Sequence, residues 1–337
     1  MKKLISLFLV SLFLGTKAFA GGVDIVPTMM SKSAEGDRVW AGTFQLVWND
    51  FMDKFVHGNV RFKEGTPDFV WELNAQSFTK NDVDENCYYK ISTRINKNTR
   101  KKIEKAIKKK FGEKSDILDK LDLTPSPDNF LIYAMLKKDF EFMTAFDKLG
   151  KSKFGENQTA EYFGIDNNSD DKLLKSVNVL FYNDENDFAV MLKTKKEDQV
   201  YLYKTPNDKS FNLLYKDMFK KANMYKGSVT LRSIDELKIP NIKFFTEKNF
   251  TGLANKRALG TNIVINQALE TIKFEMNHKG VKLKSEAAMT MMTTSFNPIP
   301  NIPRYFYFDD TFVIFLIEKE KKSPYFALRV NDITKFQ

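Results

Sequence analysis

The chain has 337 residues, with 53 lysines and arginines against 43 acids, 42% apolar residues and one cysteine, Cys87. A single cysteine excludes an intramolecular disulfide and a cysteine-built metal cluster, so stability has to come from packing. The 31 phenylalanines and 12 tyrosines supply apolar area for one large core or two ordinary ones.

At the start, Lys2 and Lys3 precede an apolar run from Leu4 to Phe13, and Ala18-Phe19-Ala20 offers small residues to a signal peptidase. Together they predict a secretory signal peptide over residues 1–20, with cleavage expected after Ala20. The rival reading is an uncleaved anchor. Against it, the run is shorter than the roughly 20 residues that span a bilayer, and Gly15, Thr16 and Lys17 interrupt it. No cysteine follows the cleavage point to carry a lipid. The short charged start has a bacterial look, so the mature chain is expected in the periplasm or the medium, soluble and monomeric.

Apolar spacing predicts a helix over Val39–Val56 and a second over Phe69–Phe78, with loops at Gly58 and Gly65-Thr66-Pro67. Ile103, Ile107 and Phe111 recur at four-residue spacing among Lys101, Lys105, Lys108, Lys109 and their basic neighbours, which predicts an amphipathic helix from about Asn98 to Phe111. Its basic face is either simply solvated or a patch for an anionic partner. Nucleic acid is not expected for an exported chain without a recognition motif. Residues 38–115 therefore read as mostly helical.

From Asp128 onward short aromatic and β-branched runs stand between charged turns. Strands are expected at Phe130–Met135, Val177–Phe181, Phe188–Leu192, Val200–Tyr203, Val229–Leu231, Ile239–Phe245, Thr271–Met276, Tyr305–Phe308, Phe312–Glu318 and Tyr325–Val330. Asn183–Asn186 and Glu318–Lys322 occupy hairpin-turn positions. A helix-rich front over 21–114 and a strand-rich part over 115–337, without regular alternation, give an α+β fold. No linker divides the chain, so 21–337 is expected to be one domain.

Catalytic signatures are missing from the sequence. His57 and His278 are the only histidines and lack partners at metal-ligand spacing, and neither a nucleophile elbow nor a Gly-rich phosphate loop occurs. Asp170-Asp171 and Asp309-Asp310 read as solvated turns, and Cys87 as a small buried residue. The chain is expected not to be an enzyme and to need no cofactor or metal.

Phe308-Asp309-Asp310-Thr311-Phe312-Val313-Ile314-Phe315 is similar to the strand after a reactive loop in the serpin family of protease inhibitors. Ser323-Pro324-Tyr325-Phe326 through Asn331 resembles that family's closing strand, and Ile272-Lys273-Phe274-Glu275 through Gly280 its loop-entry strand and hinge. Weaker similarity at Ile239–Phe244, followed by a short helix at Leu253–Gly260, and at Ile117–Phe146 extends it over about 115–332. The front is much shorter than a serpin's and lacks the Ser-Pro-x-Ser helix start. Tyr133 stands for a sheet-centre Asn, Glu270 for a His, Thr311 for Pro and Leu328 for Gly.

The resemblance implies a serpin-like fold with a helical N-terminal part on large mixed and antiparallel sheets, and a reactive loop at about 280–304. It also implies inhibition of a serine or cysteine protease by loop cleavage and insertion, or binding without inhibition on the same scaffold. With Gly280 as the hinge glycine, Val281, Leu283, Ser285 and Ala287 share one parity and face inward, and Ala288 closes the hinge. Lys282, Lys284 and Glu286 take the solvent parity. The scissile bond then falls at Thr294-Ser295. If Ser285–Ala288 is instead the family's Thr-Glu-Ala-Ala element, the bond moves to about Pro298-Ile299. The plain alternative for Met289–Pro303 is an exposed connection kept extended by its prolines.

Overall fold

A computed structural model describes residues 22–34, 36–115, 118–119, 121–125, 129–282 and 302–337. The leader, most of the hinge and the expected scissile bonds lie outside the described residues.

The elements run β1 (Asp24–Ile25), β2 (Arg38–Ala41), α1 (Thr43–Phe51), α2 (Asp68–Asn74), β3 (Tyr88–Arg94), α3 (Thr99–Phe111), β4 (Asn129–Leu136) and β5 (Phe140–Glu141). They continue with β6 (Asp147–Phe154), β7 (Gln158–Ile165), β8 (Val177–Asp184), β9 (Asp187–Lys193), β10 (Asp198–Lys204), α4 (Phe211–Met224), β11 (Glu236–Pro240) and β12 (Ile242–Asn249). The last are β13 (Lys256–Arg257), β14 (Val264–Asn277), β15 (Gly280–Lys282), β16 (Tyr305–Tyr307), β17 (Phe312–Glu318) and β18 (Phe326–Val330). The architecture is α+β, with few helices on large mixed sheets.

One sheet orders β1-β2-β18-β17-β10-β9-β8. Every residue of β17 and β18 is buried, as a continuous apolar run in a doubly covered strand should be. Helix α4 covers one face through Phe211, Leu214 and Met218, with Tyr215 5.2 Å from Phe315. On the other face Phe274 of β14 stacks on Phe326 at 4.7 Å and joins this layer to the main sheet. A small sheet orders β16-β11-β7-β6. The main sheet orders β3-β4-β14-β15-β5, with β12 and β13 along the other edge of β14.

The front of the chain departs from its predicted helices. Arg38–Ala41 is a strand, because its residues pair with β18 on one side and with β1 on the other, and α1 starts only at Thr43. Tyr88–Arg94 is a strand paired with β4, so the front also contributes to the main sheet. Two tyrosines, Ile91 and Thr93 carry a β propensity that pairing with β4 realises. Ile239–Phe245 divides at Asn241 into two strands serving two sheets, and Leu253–Gly260, which follows on a 3-10 turn at Thr251–Leu253, carries β13 instead of a helix. Val229–Leu231 makes only a single bridge, Asn178 to Thr230. Helix α4 and the β6–β7 hairpin went unpredicted, although Phe211, Leu214, Tyr215, Met218, Phe219 and Ala222 follow helical spacing closely.

Candidate functional site at the centre of the main sheet

Strand β14 is long, and its two edges are covered differently. Strand β12 pairs with it from Leu269 to Met276. On the opposite edge β4 runs parallel to it but pairs only from Val264↔Asn129 to Ala268↔Ile132. Strand β15 turns back at the far end and pairs antiparallel there, from Glu275↔Lys282 to Asn277↔Gly280. Among the described residues no ladder joins Leu269–Phe274 to Tyr133–Leu136. The result is a slot in the sheet, closed below by the short parallel ladder and above by β15, which also pairs with β5. Backbone groups lining such a slot are a template for another strand.

Gly280 sets the turn into β15. Its φ is 155°, and an added Cβ would lie 2.2 Å from the Phe140 carbonyl oxygen, so a side chain there collides with the neighbouring strand. Beyond it Val281 is buried at 1% exposure, and Lys282 is exposed with its ammonium 3.8 Å from Glu275. Leu283, Ser285, Ala287, Ala288, Thr294 and Ser295 lie outside the described residues. At the far side Arg304 leads into β16, buried and bound to the Asp235 carboxylate at 2.7 Å, while Ile302 before it is 72% exposed.

Glu270 faces inward from β14 at the level of the slot and is buried. Its Oε1 accepts a 3.2 Å hydrogen bond from the Thr43 hydroxyl, and the Phe44 amide also donates to the carboxyl. Both donors belong to the first turn of α1, whose amides have no helical partner. Oε2 has no hydrogen-bond partner. Lys248 sits across the ladder from Glu270, but its ammonium is held by Asp24 at 2.7 Å. Burial dominates the balance and pushes the Glu270 pKa up to about 8, against the lowering pull of Thr43, Phe44 and Lys248. The carboxyl is therefore mostly neutral at pH 7.

Tyr133 leaves the opposite face of the sheet. It belongs to the apolar cluster of Ile103, Ile107, Leu131 and Leu269 under α3, and its hydroxyl lies 2.9 Å from the Ser115 hydroxyl. The two polar positions singled out at the sheet centre thus act on different faces.

No protein-family model matches the chain, and no curated protein matches it. Among solved structures it matches a thyroxine-binding globulin complex with thyroxine at 14% identity and TM-score 0.43, over 68% of this chain and 63% of that one. It matches Serpin48 of the insect Tenebrio molitor at 12% identity and TM-score 0.40, over 80% of this chain and 73% of that one. A serpin from Schistosoma mansoni matches at 10% identity and TM-score 0.43, over 68% and 62%. The chain is similar to serpins. It spans about 63% of the length of the thyroxine-binding globulin structure it matches.

The remaining candidates lie elsewhere. Helix α3 crosses the outer face of β4 and β14, burying Ile103 and Ile107 and exposing Lys101, Lys105, Lys108 and Lys109. No acid stands within ion-pair distance of these four among the described residues. Cys87 is half-buried, and burial raises its thiol pKa to about 11, so it is protonated and a poor nucleophile at neutral pH. Beside it Lys138 is buried and bridges Asp198 and Glu318, each at 2.6 Å, with the Tyr325 hydroxyl donating to Asp198. This charge cluster was not legible in the sequence, because its members come from four separate segments. His57 ends, in a left-handed conformation, the π-helical turn Met52–Val56 that follows α1. Burial, helped by two lysines, holds the His278 pKa low.

Proposed function

We propose that this chain is an exported, non-enzymatic inhibitor of a serine or cysteine protease, and that its loop over about residues 280–304 is the bait. In this reading the cleaved loop enters the slot between β4 and β14 as a new strand and carries the acylated protease with it. The observation that carries the reading is β15. It is the first residues of that loop, already seated antiparallel on β14 at the mouth of the slot.

Continuing the same register would set Leu283 opposite Phe274, Ser285 opposite Ile272 and Ala287 opposite Glu270. Phe274, Ile272 and Glu270 all face the interior. Directly opposed residues share a face, so the three incoming side chains are apolar or small where they would be buried. Lys284 and Glu286 would meet Lys273 and Thr271 on the outer face. Insertion would pair the open backbone edge of β14 without burying an unpaired charge.

The deciding experiment incubates the purified protein with chymotrypsin-like, elastase-like, subtilisin-like and papain-like proteases and resolves the products on a denaturing gel. A covalent adduct supports the bait reading, with cleavage expected at Thr294-Ser295. Cleavage with no adduct in any case overturns it. The exposed, unpaired ammonium groups of Lys101, Lys105, Lys108 and Lys109 favour a second reading, a non-inhibitory protein that holds an anionic partner on α3. Charge reversal at Lys101, Lys105 and Lys108 then abolishes partner retention, and unaltered retention counts against that patch.

A further inference from the structure

Arg38 of β2 and Arg329 of β18 face each other directly across an antiparallel ladder. Like charges in that position repel, and strands normally avoid the pairing. Both residues are also buried, Arg38 at 1% and Arg329 at 4% exposure. Each guanidinium makes some bonds: Arg38 donates to Asp208 Oδ1 at 2.6 Å and to the Lys209 carbonyl at 2.5 Å, and Arg329 to the Gly36 carbonyl at 2.7 Å. The Nε atoms of both are buried with no hydrogen-bond partner.

Among the described residues the charges do not balance. Two guanidiniums share one carboxylate, since Arg329 Nε approaches the same Asp208 oxygen only to 3.9 Å. The neighbouring acids are engaged elsewhere. Asp37 accepts from the Asn331 and Asp332 amides and pairs with Lys335, and Asp24 holds Lys248. Burial lowers the Arg329 pKa and Arg38 adds to this, while Asp208 and, less strongly, Asp37 oppose it. Asp208 itself is 54% exposed, on the connection into α4. That helix begins beside the pair, with Phe211 5.3 Å from the Arg38 guanidinium. Its first turn has no acid, and the Ser210 side chain does not cap it. The Asn212 amide of that turn is already taken by the Met29 carbonyl at 2.9 Å, so what the helix end offers an anion is chiefly its dipole.

We infer that Arg38, Arg329 and the N-terminus of α4 form a binding site for a tetrahedral dianion, a phosphate or sulfate group, with Asp208 as an internal stand-in. A monoanionic carboxylate only repeats what Asp208 does and leaves one positive charge over. A dianion in its place neutralises both guanidiniums and offers acceptors to both free Nε–H groups. Arginine forks suit tetrahedral oxyanions for this reason. The inference is independent of the bait loop, because it concerns the opposite face of another sheet.

The test follows thermal unfolding of the purified protein at pH 7.5 in low millimolar phosphate, sulfate or acetate, at ionic strength matched with chloride. Low concentrations keep the general stabilising action of these salts small. Phosphate and sulfate should raise the Tm saturably and acetate should not. Asp208→Asn removes the internal competitor, so its half-saturating phosphate concentration should fall about tenfold or more. Arg329→Met should lose the response. If that variant does not fold, broadening of the phosphorus resonance of inorganic phosphate by wild type and Asp208→Asn supplies the comparison. Equal behaviour in phosphate, acetate and chloride for both proteins would overturn the inference.

Discussion

Glu270 ties the sheet centre to pH. Its folded pKa, about 8, stands above the ordinary glutamate value of 4.5, so the folded state holds its proton where the unfolded chain has lost it. Stability from this group is complete below pH 4.5, falls as pH rises toward 8, and loses nothing further above that. The slope cannot exceed about 1.4 kcal/mol per pH unit for one proton. Glu270→Gln keeps the shape and the bond from Thr43 but has no proton to lose. Urea midpoints at pH 5 to 9 should therefore decline for wild type by more than for the variant, with the difference confined below pH 8. Parallel curves would mean that Glu270 is ionised in the folded protein. At the same scale Gly280→Ala drives a methyl into the Phe140 carbonyl and should cost about 1–3 kcal/mol, the usual range for overpacking, read as a lowered Tm. Glu270 was visible in the sequence only as a departure from a resemblance. That it is buried against Thr43 and Phe44 depends on where α1 lands, which no local spacing reports.

Among the elements, β17 and β18 were legible because continuous apolar runs with a charged turn between them allow few other solutions. Helix α3 was legible from its four-residue spacing. The slot was not, since a ladder that stops at Ala268↔Ile132 is a property of two strands and of what packs on them, with no trace in either sequence. The β6–β7 hairpin hid for another reason. Strand β6 is almost wholly exposed and rich in lysine, so its pairing with β7 sets its structure more than its own pattern does. The proposed register makes parity testable at this scale. Ser285→Glu would place a charge opposite Ile272, inside the sheet, whereas Glu286→Lys changes only the solvent side. A buried unpaired carboxylate costs several kcal/mol. The first variant should be cut by the target protease without forming an adduct, and the second should trap as wild type does. Identical trapping by both would rule out this register.

For the whole molecule, the bait reading treats the open edge of β14 as free energy not yet realised. Two layers are already locked together by Phe274 on Phe326 and by the Lys138, Asp198 and Glu318 cluster that joins the β4–β5 connection to β10 and β17. Lys138→Met should unfold the protein at a markedly lower temperature, because it leaves two buried carboxylates without their cation, a change that typically costs 3–5 kcal/mol. That loss belongs to the scaffold and should be the same before and after the loop is cut. In that reading cleavage acts on the slot instead. A strand entering between β4 and β14 replaces open edges with hydrogen bonds on both sides, each contributing about 1 kcal/mol net, and buries Leu283 against Phe274. At roughly 2–4 °C per kcal/mol for domains somewhat smaller than this one, even a few kcal/mol of net gain gives a rise of several degrees. Melting before and after clean cleavage at Thr294-Ser295, in wild type and Lys138→Met alike, separates the two effects. A rise of similar size in both proteins means that the loop enters a slot the scaffold holds ready. An unchanged Tm in both would leave the open edge without a strand to fill it, and the trapping mechanism would fail with it.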